Sequence, residues 1–222
     1  MKRYYNALVV CTSIFILLSG CAIDERTTFN NDFSGESVST VDLSSFIKIL
    51  SEKDSTGKAK AGFTKGFRDK IAAEMGGSTN PYASHISINY DSVNNHLSMK
   101  CTFDNLDMMN KINATMRESN TQMSRKKVTY VDYNWKKKDK VLVMPGVEGL
   151  ESLAELTKSR KGEENLDSKI TYSIVRRFPK EIEKVNDSRL QLSEDKKELS
   201  LKTTLAELDK KPLKEIVVTF KN

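Results

Sequence analysis

The sequence predicts an α+β fold, in which an antiparallel sheet of hairpins carries amphipathic helices packed on one face. Two observations support this class. Some stretches have a hydrophobic period of two and are separated by turn residues, as strands are, while other stretches repeat apolar residues at helical spacing. Because helices and hairpins follow one another without regular βαβ spacing, we expect an antiparallel sheet rather than a parallel one.

Four helices are predicted from apolar residues that recur three or four positions apart. Asp42 is a candidate N-cap for the first helix, and Gly76-Gly77 ends the second. The marker residues, helix by helix, are Leu43, Phe46, Ile47 and Leu50; Phe63, Phe67, Ile71 and Met75; Leu106, Met109, Ile112 and Met116; and Leu150, Leu153, Ala154 and Leu156.

Strands are predicted wherever apolar and polar residues alternate. Residues 86–90 and 96–103 flank the turn DSVNN and predict a hairpin, and a second hairpin is expected from residues 128–135 and 140–144. The C-terminal third alternates more strictly, in ITYSIVRRF, RLQLS, ELSLKTTL and LKEIVVTFKN. It predicts three or four antiparallel strands, each with one dry face.

The N-terminal residues have the features of an export signal. Lys2 and Arg3 precede Ala7–Leu18, a run without any charge. Crossing a bilayer core of about 30 Å takes roughly 20 apolar residues, whereas the apolar region of a signal peptide needs only about 7 to 15. The run is therefore predicted to be the core of a secretory signal peptide.

The run closes with Leu18-Ser19-Gly20-Cys21, which resembles the lipobox of bacterial lipoproteins. The resemblance implies that the chain is cut between Gly20 and Cys21, and that the Cys21 thiol carries a diacylglyceryl group. The alternatives are an ordinary cleavage site with an incidental cysteine, or a short uncleaved anchor.

The lipobox divides the chain into three predicted parts. Residues 1–20 are the signal peptide. Residues 21–41 are rich in Ser, Thr, Asn, Asp and Gly without any period, and are expected to form a flexible tether. Residues 42–222 are expected to form a single α+β domain, because no internal repeat or second boundary stands out.

The lipoprotein resemblance also implies a location, the bacterial cell envelope, with the membrane as a partner through the lipid on Cys21. Two or three acyl chains hold a protein stably, whereas one chain binds reversibly. Ala22 stands where an aspartate would be an inner-membrane retention signal in some Gram-negative bacteria, so the outer membrane is favoured. Asp24 and Glu25 resemble the acidic tethers that some bacterial groups use for surface export.

The segment from Ile170 onward, which contains FPKEIEKVN and LQLSEDKKELSLKTTL, loosely resembles uncharacterised bacterial envelope lipoproteins. The similarity covers about a quarter of the chain and includes no catalytic residue. It supports an envelope lipoprotein without indicating an activity.

The net charge argues against one class of protein, and the cysteine content predicts the state of Cys101. Without Lys2 and Arg3 the chain keeps 34 basic and 30 acidic side chains, and a net charge of +4 is too small to indicate a nucleic-acid binder. Cys11 leaves with the signal peptide and Cys21 takes the lipid, so Cys101 remains without a disulfide partner. Its position in an alternating strand predicts a buried, inert thiol.

No catalytic, cofactor or metal site is predicted. The only histidines, His85 and His96, should lie more than about 15 Å apart on a hairpin, too far to share an ion. Neither a nucleophile elbow nor a phosphate-binding glycine loop occurs, and the paired carboxylates stand in charged segments. We therefore expect a protein that is not an enzyme.

The most basic short stretch is the tip of the second hairpin, with Lys136, Lys137, Lys138 and Lys140. These lysines are a candidate contact with anionic lipid headgroups, to which each contributes about 1 kcal/mol. The alternative is a solvated turn whose charges discourage edge-to-edge pairing of sheets.

The function expected from these features is that of a lipid-anchored envelope lipoprotein whose non-catalytic domain binds or scaffolds an envelope protein or lipid. The alternative is a carrier of an apolar ligand such as a lipid. Soft methionine side chains would line its cavity, although methionine at helical spacing also fits an ordinary core. The candidate lining residues are Met75, Met99, Met108, Met109 and Met116.

Overall fold

The fold is mostly β. The computed structural model describes residues 22–44, 47–48, 81–121, 130–147 and 170–221. It is 49% strand and 17% helix, with two sheets and, among these residues, one helix of seven residues or more. The predicted α+β class is therefore wrong, because strands and not helices on a sheet dominate the architecture.

Eleven strands and two α-helices are assigned within the described ranges. The strands are β1 (Ala22–Phe29), β2 (Gly35–Asp42), β3 (Ile86–Asp91), β4 (His96–Phe103), β5 (Asn134–Lys136), β6 (Val141–Pro145), β7 (Thr171–Arg177), β8 (Ile182–Val185), β9 (Gln191–Leu192), β10 (Glu198–Thr204) and β11 (Glu215–Phe220). The helices are α1 (Leu106–Thr121) and α2 (Leu205–Lys210), and a 3-10 turn covers Ala83–His85.

A seven-stranded sheet, the large sheet, has the order β3-β4-β2-β1-β7-β10-β9. All its neighbours are antiparallel except β1 and β7, which run parallel, with Ala22 beside Thr171 and Thr28 beside Arg177. A four-stranded antiparallel sheet, the small sheet, has the order β5-β6-β11-β8.

The predicted tether is corrected by the first two strands. Residues 22–29 and 35–42 form β1 and β2, which lie in the interior of the large sheet between β4 and β7. Two of their inward side chains, Thr27 and Ser37, are polar and buried, and their hydroxyls hydrogen-bond each other at 3.1 Å. A Ser/Thr-rich segment without apolar alternation has therefore become strand rather than linker.

The two sheets share one hydrophobic core. It includes Phe29 and Phe103 from the large sheet together with Leu142, Met144 and Ile216 from the small sheet. Aromatic rings concentrate at the Phe29 end of β1, which is where β1 turns into β2. Their contacts join both sheets: Phe29 with Phe178 at 5.2 Å, Phe178 with Phe220 at 5.2 Å, Trp135 with Phe220 at 5.8 Å, and Phe33 with Trp135 at 4.8 Å between ring centroids.

The two helices are held by side-chain hydrogen bonds. At the start of α2, Thr204 and Glu207 form a capping box, in which each side chain bonds the other residue's backbone N–H. In α1, Asn110 accepts a hydrogen bond from the Tyr133 N–H at 2.8 Å and donates one to the Tyr133 carbonyl at 2.9 Å. This two-way bond fixes α1 against the chain that leads into β5.

The structure agrees with several predicted elements. The first hairpin is β3–β4, the third predicted helix is α1, and the C-terminal alternation gives β7, β10 and β11. Asp42 accepts a hydrogen bond from the Ser44 N–H at 2.8 Å, as an N-cap does. The rest of the first predicted helix, apart from residues 43, 44, 47 and 48, and the predicted helices around residues 63–75 and 150–156 lie outside the described residues.

Candidate functional site

The predicted lipidation and cleavage residues, Cys21 and Gly20, lie outside the described part of the chain. Their neighbour Ala22 is the first residue of β1 and pairs with Thr171 at the start of β7. The predicted attachment point is therefore followed directly by an interior strand of the large sheet.

The acidic residue predicted to belong to an export tether has a structural partner instead. Glu25 points to the inner side of the large sheet, where its carboxylate accepts hydrogen bonds from Arg176 at 2.5 Å and from the Tyr172 hydroxyl at 2.7 Å. Glu25 and Arg176 are an ion pair that joins β1 to β7. We call these three residues the inner polar cluster.

The inner polar cluster is removed from solvent. Arg176 is 1% exposed and Glu25 is 21% exposed at the side chain. Burial lowers the pKa of Arg176, but the Glu25 carboxylate and nearby tyrosines outweigh it, so the pKa of Arg176 rises and the guanidinium stays charged. Burial and then Glu25 raise the pKa of Tyr172 well above its usual value, which keeps its hydroxyl a donor.

Arg176 is incompletely satisfied. Its Nε and Nη1 atoms are buried and have no hydrogen-bond partner among the described residues, so only Nη2 is engaged. A buried donor left unpaired costs about 1–3 kcal/mol, and more when the group is charged. Glu25 therefore supplies the compensation that this buried charge depends on.

The sequence contained a signal for the inner polar cluster. In the alternating strand TYSIVRRF, Tyr172, Ile174, Arg176 and Phe178 share one phase, and all four are buried. A basic residue in the apolar phase of such a strand requires an acidic partner inside the fold. The partner could not be found from sequence, because it lies in the segment predicted to be a tether.

The lysines predicted to contact headgroups form an exposed turn at the Phe29 end of the fold. Lys136, Lys137 and Lys138 are exposed and Lys140 is half-buried. The Phe220 N–H donates to the Lys140 carbonyl at 3.0 Å, and Trp135 beside the tip contacts Phe33. The hairpin tip is therefore at the opposite end of β1 from Ala22.

Two further turns and the C-terminal end of β11 meet the hairpin tip at this end. The Lys221 N–H bonds the Glu181 carbonyl at 3.0 Å, the Ile182 N–H bonds the Lys196 carbonyl at 2.7 Å, and the Phe178 N–H bonds the Lys197 carbonyl at 2.7 Å. These backbone bonds join the β7–β8 turn, the β9–β10 turn and the C-terminal end of β11. We call the resulting surface the lysine end, and it comprises Lys136, Lys137, Lys138, Lys140, Lys180, Lys196, Lys197 and Lys221.

The positive charge of the lysine end lowers the pKa of Glu181. Its carboxylate accepts a hydrogen bond from the Lys221 ammonium at 2.5 Å. That bond and the charge of Lys221, followed by the charges of Lys196 and Lys197, lower the pKa of Glu181. Lysines from separate turns thus lie close enough to act on one carboxyl group.

Cys101 is buried, 3% exposed, as the alternating strand predicts. Burial, together with the charge of Glu25, raises the pKa of its thiol to about 11. Thiolate is the reactive form, so this cysteine is chemically quiet at neutral pH.

The two histidines lie at opposite ends of β4, because His85 ends the 3-10 turn beside Thr102 and His96 is the first residue of the strand. The His85 Nδ1 lies 3.5 Å from the Thr102 hydroxyl, whereas His96 Nε2 lies 3.8 Å from Asp42. Thr102 lies six positions after His96 along the strand, a distance of about 20 Å. The predicted separation of the histidines is confirmed, and no group of three metal-ligating side chains occurs among the described residues.

The described methionines belong to the core. Met109 is buried within it, and Met99 and Met108 pack against it. The other two candidate lining residues, Met75 and the side chain of Met116, lie outside the description. The ordinary-core interpretation accounts for the three that are seen.

Comparison with protein-family models, with curated proteins and with solved structures finds no match to this chain. In the described part of the chain, the helices are too short or too polar to cross a membrane.

Proposed function

We propose that the protein is a bacterial envelope lipoprotein, anchored by lipid on Cys21, whose β-rich domain binds or scaffolds another envelope component. The observation that carries the proposal is the order of a basic start, an uncharged apolar run and Leu18-Ser19-Gly20-Cys21. Each element stands at the distance that export followed by acylation requires. The favoured location is the outer membrane.

The position of β1 makes the proposed anchor short. Only the peptide bond between Cys21 and Ala22 separates the acylated residue from the strand. The Ala22 end of the large sheet would therefore stand at the membrane surface. In this arrangement the lysine end is directed away from the membrane that holds the lipid.

A binding role is supported by where the reactive side chains lie. Cys101 is buried in the core, and the two histidines sit about 20 Å apart. The lysine end, in contrast, offers exposed charge on the surface of the fold. The lysine end is therefore the surface on which we place the bound partner.

Intact mass spectrometry tests the anchor. The full chain is expressed in a lipoprotein-processing bacterium beside a Cys21→Ser variant and a matched Cys11→Ser control, which alters a cysteine inside the signal peptide. We expect a mature species that starts at Cys21 and is heavier by a diacylglyceryl group, with or without an N-acyl chain. The Cys11→Ser chain should give the same acylated mature mass as the parent, and the Cys21→Ser chain should give no acylated species.

An unmodified chain cut elsewhere would refute the proposal. The same conclusion would follow if Cys21→Ser yielded the same acylated mass as the parent chain. Membrane fractionation gives a second readout, in which the parent protein sediments with outer membranes and Cys21→Ser does not.

A further inference from the structure

Positive charge is concentrated at one end of the molecule. The lysine end and the turns that form it carry nine basic side chains, counting Arg177, against six acidic ones, counting Asp32 and Asp139. The local excess of +3 compares with +4 for all residues after the predicted cleavage site. The remainder of the domain is therefore close to neutral.

The acidic residues at this end do not cancel the lysines evenly. Arg177 pairs with Asp195 at 3.2 Å and with Glu198 at 3.6 Å, so two carboxylates are engaged by the single arginine. Glu181 pairs with Lys221. The hairpin tip, with four lysines against Asp139, accounts for the whole excess of +3, and the other basic side chains at this end are balanced by acidic ones.

Two lysines occupy backbone positions that lysine disfavours. Lys140 has φ 53° and Lys196 has φ 52°, both in the left-handed region where glycine and asparagine are at ease. Each such position costs about 1 kcal/mol relative to glycine. Both lie at the lysine end, so the fold gives up stability to place lysine there.

We propose that the lysine end binds a flexible polyanion of the cell envelope, a polymer with phosphate or carboxylate groups along its chain. Lysine ammonium groups are compact point charges that respond to charge density rather than to the shape of one anion. A surface made from several turns, with lysines spread across it, suits a chain of repeated charges. The location of this partner rests on the proposed function, but the binding does not.

The geometry separates this surface from the membrane of the proposed anchor. β1 spans eight residues, from Ala22 beside Cys21 to Phe29 beside the lysine end. At roughly 3.3 Å per residue the two ends are about 23 Å apart, well beyond the Debye length of about 8 Å at physiological salt. When the sheet stands on its lipid, headgroups of the same membrane are out of reach.

Fluorescence anisotropy measures the binding. The full chain, purified in detergent, is titrated into labelled inorganic polyphosphate and, separately, into labelled alginate, which is a polycarboxylate. A stronger response to one probe identifies the preferred anion. We expect affinity for at least one probe that falls steeply as salt increases, because counterions are released on binding.

Matched variants locate the surface. The test variant replaces four lysines of the lysine end and the control replaces four exposed lysines near α2, so both lose the same charge. They are K137Q/K138Q/K196Q/K197Q and K202Q/K210Q/K211Q/K214Q. We expect at least about tenfold weaker binding for the test variant and a change within about twofold for the control.

A second variant separates binding from folding. K140G/K196G relieves the left-handed backbone at both turns, so it should raise the unfolding midpoint while it weakens polyanion binding. Loss of affinity together with a gain in stability cannot come from a damaged fold.

Three results would overturn the inference: no salt-sensitive binding to either probe, equal losses in the test and control variants, or tighter binding to phosphatidylglycerol vesicles than to both polymers. The Cys21→Ser chain distinguishes the two proposals. If it binds polyanion like the parent while mass spectrometry finds no lipid on either, the anchor fails and the lysine end stands. If the parent chain is acylated but binds neither polymer, the anchor stands and the lysine end fails.

Discussion

Removal of the Glu25 carboxylate is expected to destabilise the fold far more than removal of an exposed one. The change is Glu25→Leu, which leaves Arg176 charged, 1% exposed, and without the acceptor for Nη2. Breaking a buried ion pair from one side costs about 3–5 kcal/mol. Because Glu25 is itself 21% exposed, we expect the lower end of that range, about 3 kcal/mol.

Urea unfolding followed by fluorescence measures this cost. Trp135 is the only tryptophan of the chain and lies among aromatic rings at the junction of the two sheets, so its emission reports loss of the core. With a slope of about 2 kcal/mol per molar urea, the midpoint should fall by about 1.5 M.

Two further variants make the test specific. Glu36→Leu is the matched control, because Glu36 pairs with Lys100 on neighbouring strands but is 44% exposed, and it should cost less than about 1 kcal/mol. The double variant Glu25→Leu/Arg176→Met removes both buried charges and should be more stable than Glu25→Leu alone. Equal costs for Glu25→Leu and Glu36→Leu, or an additive double variant, would refute the reasoning.

Three other perturbations test separate parts of the fold. The Cys101 thiol is buried and its pKa is raised to about 11, so it should react with a thiol reagent at pH 8 only after denaturation. The full-length Cys21→Ser chain keeps two cysteines, Cys11 and Cys101, and rapid reaction of both in the native protein would contradict the burial of Cys101. Hydrogen bonding from Arg189 lowers the pKa of Asp187 to about 2, so its stabilisation is present above pH 3.8 and is lost as pH falls toward 2; Asp187→Asn should cost about 1 kcal/mol at pH 7 after allowance for solvent screening, and a thermal-unfolding difference that persists below pH 2 would be inconsistent with this. Gly35→Ala would place a Cβ 2.1 Å from the Thr28 carbonyl oxygen, so the strands must separate locally; we expect a loss of about 2 kcal/mol or more in urea unfolding, and an unchanged midpoint would argue against the close approach.

Sequence patterns predicted the elements in which one face is apolar. The β3–β4 hairpin and β7, β10 and β11 alternate cleanly, and α1 repeats its apolar residues at helical spacing, since each has a dry face and a wet one. For such elements, burial of the apolar side chains decides the local structure.

The sequence prediction was wrong for the strands in which polar residues face inward. In β1 and β2, the hydroxyls of Thr27 and Ser37 face inward and hydrogen-bond each other. The inward carboxylate of Glu25 accepts a hydrogen bond from Arg176. Their stability depends on partners on neighbouring strands, and Arg176 is 151 residues away along the chain. A local window over residues 22–42 contains none of that information, so composition alone indicated a tether.

Only part of the candidate site could be predicted from the sequence, for a related reason. The hairpin tip is contiguous in sequence, and its lysines were noticed. Lys196, Lys197 and Lys221 join them only because β11 pairs with both β6 and β8 and brings the turns together. Surfaces assembled by strand order become apparent once the topology is known.

The central position of β1 also determines how the domain would resist a pull on the proposed anchor at Cys21. A force applied through Cys21 acts along β1, which is hydrogen-bonded to β2 on one side and to β7 on the other over nearly its whole length. Such a load shears all those bonds together, whereas an edge strand pulled from its end would peel away one bond at a time. If Cys21 carries the proposed lipid, a pull on that lipid would load two rows of strand hydrogen bonds in shear.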